Sequence, residues 1–147
     1  MEGTNQMQAD LDAFAAYCFQ REWPFEVNDD TTLAIRRKVS HGELLCTARV
    51  QPNYFIFRSR YPFVAPESKR VSVAEFAARV NFQSSFAAVY LNASDGEIGV
   101  TTAIPVGEGY LCSAVIDPVV RLNLAMAEQW LSSVAAMCLP DVAPSAP

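Results

Sequence analysis

The chain holds one histidine, His41, among its 147 residues. A Ser-His-Asp triad or a histidine-bearing zinc centre would have to be built on that single imidazole. It lies between Ser40 and Gly42, in a stretch that reads as a hairpin turn, and is expected to be a polar turn residue. Cysteine pairs are missing too. Cys18, Cys46, Cys112 and Cys138 are dispersed, with no CxxC, which excludes the usual zinc and redox spacings. They are expected to be reduced and buried, acting as small hydrophobes. No apolar run approaches the roughly 18 residues that a membrane span needs. The opening MEGTNQMQADLDAF lacks the basic-then-apolar order of a secretory leader, so a cytoplasmic protein is expected. There is no GxxxxGK, and Gly107-Glu108-Gly109 follows no buried parallel strand. Asp29-Asp30 and the pair Asp95 and Glu97 fall at turns, where acids are solvated. No catalytic residue, metal site or cofactor is expected, and the chain is not expected to be an enzyme.

Apolar residues make up 51% of the chain and charged residues 18%, which suits one globular domain. The expectation is a single α+β domain over 1–139 and a disordered Pro- and Ala-rich tail over 140–147. Met7, Leu11, Phe14 and Cys18 recur at helical steps within 6–21, and Trp23-Pro24 ends that helix. Trp23 is expected to plug the core beneath it. Residues 31–39, 43–50 and 54–60 alternate apolar and polar, with SHG and QPN as turns, so three antiparallel strands follow. Arg37 is out of place on the apolar side of the first. Pro62 and Pro66 make 61–67 irregular. SKRVSVAEFAARVNFQ, residues 68–83, is a helix with Val73, Phe76, Ala77 and Val80 inward and Asn81 as its C-terminal cap. A hairpin over 86–92 and 97–104 turns at Asp95-Gly96. The last helix covers 113–138, with Val120, Leu124, Ala127, Leu131, Val134 and Cys138 on one seam. The order is α-β-β-β-α-β-β-α around an antiparallel sheet.

Charge is segregated. Residues 31–70 carry eight basic residues against Glu43 and Glu67, a net +6 in a chain that is −5 overall. Arg36, Lys38, Arg49 and Arg58 alternate with the apolar positions of their strands, so they share the side away from the core. With Tyr54 and Ile56 they form a candidate surface for an anion, a single-stranded nucleic acid or an acidic protein. An ordinary solvated face has the same pattern. Trp130 lies just off the last helix's seam, where it either packs in the core or lines an interface.

The combination resembles the YbjN-like family of bacterial proteins, often labelled sensory transduction regulators. Carrying the resemblance are Trp23-Pro24-Phe25 after an amphipathic helix and the aromatic strand YFIFRSRYPF. Pro66-Glu67-Ser68-Lys69-Arg70 leading into AEFAARVN, and the Asp95-Gly96-Glu97 hairpin, add to it. Its order and spacing span 7–138. Glu22, in place of an expected glycine, and Phe86-Ala87-Ala88, where an acid is expected, depart from the pattern. The resemblance implies a fold similar to type III secretion chaperones and a binding or regulatory role without a catalytic motif. In such chaperones the helix after the third strand helps form a homodimer. Val71, Ala74 and Ala78, with Trp130 as a second region, are the candidate interface that this implies.

Overall fold

The structure is a computed structural model that describes residues 2–107 and 111–139. It contains α1 (Glu2–Gln20), β1 (Glu26–Asp29), β2 (Thr32–Val39), β3 (Gly42–Gln51) and β4 (Tyr54–Val64). A 3-10 turn (Glu67–Lys69), α2 (Arg70–Gln83), β5 (Ala87–Leu91), β6 (Glu97–Pro105) and α3 (Ser113–Cys138) complete the order. All strand pairs are antiparallel, in the spatial order β1-β2-β3-β4-β6-β5. The expected α+β class and element order are present, with one short strand added at the front. The tail over 140–147 and most of Gly107-Glu108-Gly109 lie outside the described residues.

Alternation decides which face of the sheet is covered. Leu44, Cys46, Ala48 and Val50 on β3 and Phe55 and Phe57 on β4 point into one core. Ile98 and Val100 on β6 join them. Phe14 of α1 lies against the rings of Phe55 and Phe57, with centroids 5.7 and 6.0 Å away. Along α3, the seam from Val120 to Cys138 is buried, and the Tyr61 hydroxyl donates to the Ala127 carbonyl at 2.8 Å. Val73 and Ala77 bring α2 onto the same face beside β5. The opposite face is covered by no described element.

One polar knot interrupts this core. Asn123 is fully buried and accepts from the Ser59 hydroxyl. Its amide donates to the Phe57 and Val100 carbonyls and to the Thr102 hydroxyl, each at 3.0 Å. One α3 side chain therefore ties down two adjacent interior strands, β4 and β6. Burial pushes the Cys18 thiol up to about 12, and those of Cys46 and Cys138 to about 11, so all three stay protonated at neutral pH. Cys112 departs from the expectation: it is exposed at the start of α3.

Three further differences have local causes. β1 is exposed along its whole length, so no apolar alternation announces it. Pro62 does not end β4. The pairing of β4 with β3 stops at Leu45↔Arg60, and its pairing with β6 is irregular between Arg60 and Val64. A residue without an N–H is tolerated where no ladder bond is due. Asn81 is not a cap. Helix α2 runs on to Gln83, and the Asn81 side chain bonds to the backbone of Val89. Arg37, misplaced by pattern, lays its guanidinium 4.9 Å from the Trp23 ring, and Trp23 itself is half-buried against Tyr17. Aromatic contact lets a cation occupy the rim of the core side.

Candidate functional site

Two surfaces hold the candidate residues, one on the sheet and one on α2. On the sheet, Arg36 and Lys38 of β2, Arg49 of β3 and Arg58 of β4 all stand exposed on the uncovered face. Register explains the grouping. Arg49 lies opposite Ile56, and Arg58 opposite Thr47, which makes Arg49 and Arg58 diagonal neighbours on adjacent strands. Arg36 lies opposite Leu45, and Leu45 opposite Arg60, so an apolar side chain separates two arginines in one row. All four expected basic residues are brought to one face, and Arg60 joins them. Its period-two spacing from Arg58 was the available signal.

The positive charge is not uniform. Lys38 lies directly opposite Glu43. Arg60 pairs with Glu97 at 3.4 Å, and both are partly solvated, so the pair contributes little to stability. The Tyr90 hydroxyl donates to the other Glu97 oxygen at 2.9 Å, while the Arg58 guanidinium sits 4.8 Å from the Tyr90 ring centre. Burial, followed by the bond to Glu97, holds the Tyr90 phenol protonated far above its ordinary range. Gly99 leaves room for this: an added Cβ would meet the Ser59 carbonyl oxygen of β4 first, then the Cε1 and the hydroxyl of Tyr90 at 2.6 and 2.7 Å. A side chain at position 99 would press on the backbone of β4 as well as displace Tyr90. At the β2–β4 end of this face is an open cavity of about 560 Å³ whose walls include Arg36, Arg60, Glu43, Asp95 and Glu97. Its lining carries both signs of charge. The face toward Arg49 and Arg58 is the more purely basic part.

On α2, Val71, Ala74 and Ala78 face outward as an apolar strip. Val71 is 72% exposed. Phe82 continues the strip four residues beyond Ala78 and is 91% exposed. Treating Asn81 as the helix end hides Phe82 from a sequence reading, although its spacing fits the strip. Trp130 is not part of this surface. It is 9% exposed and packs in the core cluster. His41 stands in the β2–β3 turn with its ring edge-on to Phe63, 6.2 Å away. Among the described residues, no three His, Cys, Asp or Glu side chains gather as metal ligands.

Among the described residues, three α-helices on one side of a six-stranded antiparallel sheet, with nothing on the other side, define a two-layer α+β protein. The chain belongs to the YbjN family: the family model, described as "Putative bacterial sensory transduction regulator", matches residues 10–136. The crystal structure of YbjN from E. coli, called "a putative transcription regulator", is similar to it, with a TM-score of 0.67 and 15% sequence identity. The likeness covers 86% of this chain and 91% of that one, and at this identity it concerns the fold. No curated protein matches the chain.

Proposed function

We propose that this chain is a non-enzymatic protein-binding module that serves regulation, in a chaperone-like manner, as a homodimer. The observation that carries the reading is the apolar strip Val71, Ala74, Ala78 and Phe82 on the outer side of α2. A helix of a monomer needs one apolar stripe, and α2 already spends Val73 and Ala77 on the core. A second stripe that includes a phenylalanine fits contact with another chain, and the small alanines allow a close approach. The family's description as a regulator agrees with this role. Four free cysteines suit a reducing, cytoplasmic setting.

Sedimentation at micromolar concentration tests the reading. The wild type should have twice the monomer mass, and Ala74→Glu or Ala78→Glu should halve it without loss of helical signal. A charge buried in an interface is costly, whereas one on a solvated face is not. A wild type that stays monomeric across concentration would end the homodimer reading. A dimer indifferent to both substitutions would remove α2 from the interface.

A second reading rests on the exposed set Arg36, Lys38, Arg49 and Arg58. Gathered on one open face, they offer phosphate contacts to a nucleic acid or another anionic ligand, and the exposed Tyr54 adds a stacking surface.

A further inference from the structure

The six-stranded sheet has two edges, and different devices guard them. β1 forms one edge. It carries Glu26 and Asp29, with Asp30 next to it, so like charges oppose pairing with the β1 of another copy. β5 forms the other edge, and residues 86–92, FAAVYLN, contain no charge and no proline. Such a strand is a ready template for a further strand.

Two side chains meet its backbone instead. The Oδ1 of Asn81 accepts from the Val89 N–H at 2.8 Å, and its Nδ2 donates to the Val89 carbonyl at 2.9 Å. The Ser84 hydroxyl accepts from the Ala87 N–H at 3.3 Å and donates to the Ala87 carbonyl at 2.6 Å. Each side chain thus offers one acceptor and one donor to a single strand residue. That is the pattern an antiparallel neighbour presents at a hydrogen-bonded pair. The residues served, Ala87 and Val89, are two apart, as the outward-facing groups of an edge strand must be. Asn81 belongs to the last turn of α2, and Ser84 directly follows that helix.

We propose that Asn81 and Ser84 seal the β5 edge, and that unsealing it makes β5 a pairing surface for the β5 of a second copy. The occupant follows from the strand's own character. Antiparallel pairing of a strand with itself is two-fold symmetric, and nothing charged on 86–92 opposes it. Because the seal is carried by the end of α2, displacement of that turn opens the edge. This surface is distinct from the α2 strip.

The test uses the full chain with Asn81→Ala and Ser84→Ala together. Alanine favours helix, so α2 retains its drive to form. The Val89 amide should exchange its hydrogen at least about tenfold faster relative to Val100 than in wild type. In parallel, the sedimenting mass should rise above that of wild type: it doubles if the wild type is a monomer, and grows beyond twofold if the wild type is an α2-joined dimer, because each dimer then bears two open β5 edges. Adding Ala88→Lys, which charges the edge strand, should restore the wild-type mass. A folded double variant with unchanged mass overturns the proposal, as does association that Ala88→Lys leaves intact. Should the double variant lose its helical signal, Asn81→Ser is read in its place. That side chain is too short to span both groups of Val89, and its mass decides the matter in the same way.

Discussion

Asn123 shows how much one side chain can organise and how little a sequence says of it. The last helix is legible because Val120, Leu124, Ala127, Leu131, Val134 and Cys138 recur without a miss. Asn123 stands next to that seam as an ordinary polar residue. Only the folded chain brings it to Ser59 and Thr102, 64 and 21 residues away. Its partners come from two strands, and long-range hydrogen bonding leaves no periodic trace. Asn123→Ala should cost about 2–4 kcal/mol, since it strands buried hydroxyls and carbonyls as well as deleting bonds. Urea unfolding reads this directly, and a loss below about 0.5 kcal/mol, the scale of a surface substitution, would show the knot to be passive. Trp130 was undecidable in sequence for a related reason. A residue beside a seam is buried or exposed according to what packs there, and here the core takes it.

Elements were read well where both their faces differ and poorly where they do not. β3 and β4 alternate clearly, whereas β2 and β6 each bury three residues in a row and depend on their turns for placement. β1 is exposed throughout, and its presence depends on pairing with β2 rather than on its own pattern. The ends of β4 and α2 were misread because Pro62 and Asn81 were judged by local propensity, and tertiary partners overrode it. The join between α1 and α3 is likewise tertiary. Asp117 on α3 accepts from the Tyr17 hydroxyl of α1 at 2.8 Å, pairs with Arg21 at 3.1 Å and meets Arg121 at 2.8 Å. The Tyr17 bond, ahead of the arginines, holds the Asp117 carboxyl below its usual range. A depressed carboxyl stabilises the fold above its unfolded value, and that contribution is lost as pH falls through the folded one. Burial, with the same bond, pushes the Tyr17 phenol up to about 12, so its contribution fades only as pH rises from about 10 through that value. The urea midpoints of wild type and Tyr17→Phe should therefore differ more at pH 7 than near pH 2. An equal difference at both would detach the clasp from Asp117.

For the molecule as a whole, segregated charge was the most informative feature of the sequence, and the sheet turns it into a face. If the basic face binds nucleic acid, affinity for a single-stranded oligonucleotide should fall steeply with salt. Arg49→Ala and Arg58→Ala should each lower the slope of log affinity against log salt by about 0.7. Fluorescence anisotropy across a salt series would measure it, and binding indifferent to both substitutions would retire this face as a nucleic-acid surface. The two sheet edges bear on assembly in another way. A sheet open at both edges is divalent and can add copies without limit. A sheet with one closed edge is monovalent, and strand pairing must stop at two copies. The acids near β1 repel less at high salt, whereas the neutral Asn81 and Ser84 bonds at β5 do not depend on it. When salt weakens the charged guard, the hydrogen-bonded one still holds, so strand pairing between single copies ends at a pair and cannot by itself build a fibre.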